Sequence, residues 1–319
     1  MLALVLAVGC GDSDKAAPPQ PAAGPFRVTV DPLQAQGPLV SVVHASNPSR
    51  LLWSTVPGEG FVAAAAAEAT ITENRGSFTI EDKILRSCDR QTVEEVSTSG
   101  GTVTISGRLE GQDCDTGYSM RFTPVSENQL AFELDLSGAG PELNRVFLRY
   151  ASPPDEHFYG FGEQFTYLDQ KGRKFPIITQ EQGIGRGKEP LTTLLNLFSP
   201  GSGGNWHTTY AAVPHYLTSQ GRSLFLENSE VTVFDLESPE AVEIKLFGTS
   251  LRGRILHGET PLDLIREYTS YAGRMAPLPG WMNEGAVVGL QGGTAEAQKL
   301  GRHVLEAARS VHKRREKLL

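Results

Sequence analysis

Residues 130–136 read Leu130-Ala131-Phe132-Glu133-Leu134-Asp135-Leu136, with a large apolar side chain on every second position. Successive side chains of an extended backbone point to opposite faces, so this stretch is a strand with one face buried and one in water. Runs of the same kind recur at 26–30, 39–45, 76–84, 102–106, 118–125, 144–151, 222–236 and 242–248. Gly100-Gly101 stands between 92–99 and 102–106, where two glycines supply the positive φ of a two-residue hairpin. A long series of antiparallel strands implies a mainly β chain built as a large sandwich. The 34 Gly and 20 Pro suit its many tight turns without reaching the level of a low-complexity chain.

At about 150 residues per domain, 319 residues make two domains, or one large β body and a further piece. The net charge of −8 has the wrong sign for a phosphate backbone, which excludes nucleic acid as a partner. No run approaches the roughly 20 apolar residues of a membrane-spanning helix.

The first eight residues are apolar and are followed by Gly9, Cys10 and the polar stretch 11–15. This resembles a bacterial lipoprotein signal, in which Cys10 becomes the lipidated first residue of the mature chain. The resemblance implies export to the cell envelope, periplasmic or surface, and a membrane anchor at Cys10. An apolar start with an incidental cysteine is the competing reading. Residues 16–25, rich in Ala and Pro, make an extended tether. In an exported chain Cys88 and Cys114 meet oxidising conditions, so a disulfide between them stands beside free thiols as an open reading. Neither has a second Cys or His at ligand spacing, so no metal is expected.

The pattern changes near Glu259. Thr260 can cap a helix, Pro261 fits its first turn, Asp263 completes a capping box, and Leu262, Ile265 and Tyr268 recur at helical spacing to about Gly273. Prolines at 277 and 279 end it. Beyond them 285–290 is apolar on both faces, followed by Gln291, two glycines and a helical stretch from about Ala295, the pattern of one α/β repeat.

Three strings carry a family resemblance. They are Phe158-Tyr159-Gly160-Phe161-Gly162-Glu163-Gln164-Phe165-Thr166-Tyr167-Leu168-Asp169, then 171–176, then Glu181-Gln182-Gly183-Ile184-Gly185-Arg186. Together with 277–294 they resemble family 31 glycoside hydrolases, within them the α-glucosidase and sulfoquinovosidase branch. The resemblance implies a galactose-mutarotase-like β-sandwich over 26–275, after a signal and tether at 1–25. It also implies the truncated start of a (β/α)8 barrel at 276–319. A whole barrel takes about 250 residues. Family members are retaining enzymes whose two aspartates stand about 5 to 5.5 Å apart on later barrel strands. Those positions do not occur here, so no catalytic residue is assigned. The basic run 308–319 stands where relatives continue with an apolar strand. It fits an interrupted reading frame or a basic tail able to bind anionic surfaces.

Carbohydrate is the partner the resemblance implies. A sandwich loop that walls the sugar site corresponds to Glu181, Gln182 and Arg186, where glycines at 183, 185 and 187 let the backbone approach a ligand closely and Arg186 offers a planar fork. Gln291, just after the first barrel strand, is matched to a sugar hydroxyl contact. A solvated loop and a turn-stabilising amide are the structural alternatives. Glu163 is expected to be buried at a domain interface, and Trp206 with Tyr210 offers either a stacking face or a core lid.

No nucleotide cofactor is implied. Glu189 stands where a phosphate loop needs Ser or Thr, and Gly160-Phe161-Gly162 lacks its third glycine. Two functions remain: the amino-terminal part of an exported α-glycosidase, inactive without its aspartates, and a stand-alone carbohydrate-binding lipoprotein.

Overall fold

The computed structural model describes residues 22–31, 37–138, 140, 142–283 and 293–316. Cys10, the expected strand at 285–290 and Gln291 lie outside the described residues.

Two antiparallel sheets account for most of the regular structure among the described residues. The first has four strands in chain order: β1 (Ala22–Ala23), β2 (Phe26–Val30), β3 (Val40–His44) and β4 (Asn47–Ser54). The second holds β5 (Val62–Asn74), β6 (Ser77–Ser99), β7 (Thr102–Gly111), β8 (Cys114–Ser126), β9 (Gln129–Ser137) and β10 (Arg145–Ala151). It continues with β11 (Phe158–Gly162), β12 (Lys174–Ile177), β13 (Ala212–Thr218), β14 (Ser223–Leu226), β15 (Thr232–Asp235), β16 (Ala241–Leu246) and β17 (Ser250–Leu256). Its 13 strands follow the order β11-β13-β14-β17-β9-β8-β7-β6-β5-β10-β16-β15-β12. The helices are α1 (Leu191–Phe198), α2 (Pro261–Ala272) and α3 (Gly293–Glu316).

The period-two reading holds at β9. Leu130, Phe132 and Leu134 are buried, while Glu133 and Asp135 share Arg121 of β8 on the wet face at 2.6 and 2.7 Å. Gly100-Gly101 closes the β6–β7 hairpin with φ of 56° and 83°. Where the sequence shows separate runs at 76–84 and 92–99, the structure has the single strand β6. Register shifts near Cys88 and Val93 bend it, so its first half pairs with β5 and its second with β7. The run 222–236 divides the other way, into β14 and β15. Cys88 is bonded to Cys114 with Cα atoms 5.5 Å apart, joining β6 to β8 past the end of β7.

The long sheet folds over an aromatic core. Phe161 of β11 lies 5.0 Å from Phe175 of β12 and 5.0 Å from Phe234 of β15, and the buried hydroxyls of Tyr150 and Tyr216 meet at 2.7 Å. The four-stranded sheet adds Phe26, Val28, Val40, Val42 and Trp53 to the same core.

Helix α2 opens with the expected capping box. Thr260 N donates to Asp263 Oδ2 at 3.0 Å and Asp263 N to Thr260 Oγ1 at 3.3 Å. Its buried stripe differs from the expectation. Leu262 and Ile265 are exposed, whereas Leu264 packs on Phe225 and Leu256 and Tyr268 stacks on His215 at 4.0 Å. An i, i+4 pair lies closer to one helical face than the i, i+3, i+6 set read from the sequence. The segment from Gly273 onward forms a separate compact unit, which carries α3.

A chain of hydrogen bonds ties the small sheet to the end of β17. Arg50 Nη2 donates to His257 Nδ1 at 3.0 Å, which puts the His257 proton on Nε2 beside Ser46 Oγ at 3.1 Å. Ser46 Oγ then donates to His44 Nδ1 at 2.7 Å, and His44 Nε2 to the Glu127 carbonyl at 2.9 Å. Burial, then the neighbouring His44 and Arg50, pull the His257 pKa down to about 4 from 6.5, against weaker support from Glu259 and Glu267. Burial does the same to His215. Above pH 6.5 both folded and unfolded chains hold these rings neutral. As pH falls from 6.5 to 4 the unfolded chain takes up protons that the folded one refuses, so stability declines across that window. The urea midpoint is expected to be flat near neutrality and to fall through this range. His257→Asn, which keeps an acceptor for Arg50, should flatten the slope, and an unchanged slope would remove His257 as its source.

Candidate functional site

The first half of β5 is buried, but Glu68 onward is exposed, as is much of the facing half of β6. These halves leave the body as a two-stranded ribbon closed by Arg75-Gly76, whose φ of 54° and 79° suit a two-residue hairpin turn. The tip rests on residues 180–204. Glu181 N donates to the Gly76 carbonyl at 2.9 Å, Phe78 N to Gln180 Oε1 at 3.0 Å and Arg75 Nη1 to Ser199 Oγ at 2.6 Å.

Close backbone approach fixes the loop beneath. Ile184 N donates to the Ser202 carbonyl at 2.9 Å and Arg186 N to that of Gly203 at 2.7 Å. At this crossing a Cβ on Gly183 would stand 2.3 Å from Gly204 N, and one on Gly204 would stand 2.3 Å from the Gln182 carbonyl oxygen. Both glycines have positive φ, 70° and 68°. Helix α1, which the sequence reading did not anticipate, holds the far side, where Asn196 Oδ1 accepts from Gly203 N at 2.8 Å.

The ribbon tip and loop enclose an open cleft of about 440 Å³ lined by Arg75, Glu181, Gln182, Ile184, Ser202 and Tyr210, among others. Tyr210 donates to Glu181 Oε2 at 2.7 Å, and that hydrogen bond raises the phenol pKa, keeping it a donor. The cleft thus presents a guanidinium, a carboxylate, a phenol and an amide, a set able to bind hydroxyl-rich molecules.

Glu181 and Gln182 come together here, but Arg186 is not among the lining residues. Its guanidinium carbon stands 4.7 Å from the centre of the Phe165 ring. Both terminal nitrogens are buried without a hydrogen-bond partner among the described residues. Burial lowers its pKa, opposed by the charge of Glu163. His207 Nδ1 is also buried and unpartnered, and burial lowers that pKa too. Glu163 is exposed on its own unit, on an open face where Leu168 is 81% exposed, and the domain interface expected to bury it is not among what the described residues show. Trp206 is the lid of the core, packed 5.6 Å from both Tyr167 and Phe175, and Tyr210 points outward. Arg75 escaped sequence analysis; its only signal was an Arg-Gly turn inside a period-two region. Among the described residues no cluster of three or more His, Cys, Asp or Glu could hold a metal ion.

A family profile described as the glycosyl hydrolase 31 N-terminal galactose mutarotase-like domain matches residues 23–235, and the chain belongs to this family. A sulfoquinovosidase of Escherichia coli (strain K12) is 31% identical over 233 residues, covering 72% of this chain and 33% of that protein. A sulfoquinovosidase of Agrobacterium fabrum is 29% identical over 257 residues, covering 79% and 36%. The chain spans about a third of the length of these relatives. A family 31 sulfoquinovosidase from E. rectale, solved with an aza-sugar inhibitor, shares the fold with a TM-score of 0.71 at 22% identity, over 88% of this chain and 39% of that one.

Gly204→Ala is expected to cost roughly 2 kcal/mol, because it forces a side chain into a left-handed position against backbone. Hydrogen exchange should accelerate at 181–186 and remain slow in β8 and β9. Unchanged exchange in the loop would show that the crossing does not depend on these glycines.

Proposed function

We propose that this chain acts as the amino-terminal, substrate-side domain of a sulfoquinovosidase-like α-glycosidase. In this reading, hydrolysis of the O-glycosyl bond belongs to a carboxylate pair on a barrel of the kind the family carries. The Glu181, Gln182 and Arg186 loop forms one wall of the sugar site. The observation that carries the reading is Arg186, whose two buried terminal nitrogens have no hydrogen-bond partner among the described residues and which is held beside Phe165 by a loop with a crossing that needs Gly183 and Gly204. A planar cationic fork of this kind suits an anionic or hydroxyl-rich sugar.

Helix α1 supports the same reading. It turns Leu194, Leu197 and Phe198 outward, 49%, 75% and 84% exposed, while Thr192 is buried. Such a group of exposed apolar side chains on one short helix is suited to being covered. The proposal carries with it Gln291 as a sugar contact, a lipid anchor at Cys10 and export to the bacterial envelope. No helix among the described residues is long and apolar enough to cross a membrane.

The test uses the 319-residue chain with an aryl α-sulfoquinovoside and an aryl α-glucoside. No turnover above blank is expected, with millimolar binding of sulfoquinovose that Arg186→Gln weakens about tenfold. Reproducible turnover by the chain alone, or sulfoquinovose binding indifferent to Arg186, would overturn the assignment.

A further inference from the structure

A larger cleft lies away from this loop. Residues Gly162 and Ala212 pair at the loop end of β11 and β13, and Phe158 and Thr218 pair at the other, so the seven residues of β13 separate the two ends by roughly 20 Å. Beyond the Thr218 end lies an open cleft of about 610 Å³ between β4, the outer strand of the small sheet, and the turn at 219–222. That volume lies within the range of small-molecule sites.

Its two arginines differ. Arg222 is satisfied: Nε donates to Glu156 Oε1 at 2.6 Å and both terminal nitrogens reach the Ala151 carbonyl at 3.1 Å. Arg50 is fixed through Nη2 alone, which donates to His257 Nδ1 at 3.0 Å and to the Gly258 carbonyl at 2.8 Å. Its Nη1 has no partner among the described residues. It faces Gly221, where a Cβ would come within 3.2 Å of it. The missing side chain keeps that donor clear. Glu240 adds an acceptor and Gln220 an amide, while Leu51, Pro153 and Pro154 form an apolar wall.

We propose that this cleft is a second, non-catalytic binding site for a neutral saccharide. Arg50 already stands 3.8 Å from the Glu259 carboxylate, Arg222 is paired with Glu156, and Glu240 lines the cleft, so no uncompensated positive charge is left to draw an anion. Donors and acceptors set beside an apolar wall match a sugar ring, with hydroxyls on its rim and C–H groups on its face. The site stands independently of the role given to the Arg186 loop.

Calorimetry and saturation-transfer NMR with maltotetraose and cellotetraose test it on the full chain. At least one is expected to bind at millimolar affinity. The double variant Gln220→Ala, Glu240→Ala should weaken binding about tenfold. In the unaltered chain the bound sugar should slow hydrogen exchange at 219–222, a readout that does not depend on the variant folding. No binding of either sugar, binding indifferent to the double variant, or no protection at 219–222 would each overturn the proposal.

Discussion

β11 and β12 are the outermost strands of a 13-stranded sheet, yet Phe161 of one lies 5.0 Å from Phe175 of the other. A flat antiparallel sheet of this width would hold them far apart and leave both faces wet. Burying the aromatic seam of Phe158, Phe161, Phe175, Tyr216 and Phe234 brings the two ends together, so one sheet becomes both layers of a sandwich. Every other placement depends on that closure, including the meeting of Tyr150 with Tyr216. Burial raises both phenol pKa values, so the pair persists as a neutral hydrogen bond.

Among the described residues, two clusters bury compensated charge. Arg222 and Glu156 are 7% and 0% exposed. Arg145 and Lys245 converge on Asp82 at 2.7 and 2.5 Å, with Arg145 stacked 3.7 Å over Phe247. Desolvation opposes the charge of Asp82, but its two cationic partners hold the pKa below the usual carboxylate value. Such pairs add little net stability over apolar packing, but a slipped register would strand a charge, so they penalise wrong pairings of β6, β10 and β16.

Closure also explains why the two clefts lie at opposite ends of β11 and β13. One forms where the β5–β6 ribbon overshoots the body and meets the loop beyond β12. The other forms where the small sheet ends against the β13–β14 turn. Neither is cut into the sandwich core, which is filled by aromatic rings. Both depend on glycine: Gly183 and Gly204 let two backbones cross, and Gly221 leaves an arginine uncovered.

Local pattern alone determined much here. The alternation at 130–136, the Gly100-Gly101 turn and the Thr260–Asp263 cap each depend on residues within a few positions of one another, and each appears where the sequence places it. The glycines at 183 and 185 marked a loop read as able to approach a ligand, whereas what the structure shows is their close approach to the chain's own Gly204 and Thr192. Only the tertiary structure decided that Arg75 meets Ser199 across 124 positions, that Arg186 turns to Phe165 and not into the Glu181 cleft, and that Glu163 lies open. It also decided that α1 shows its leucines outward, and that Leu264, not Leu262, faces the sheet. Periodicity reports which face of an element is apolar. What that face meets is set by strands far away in the chain, and no local spacing encodes it.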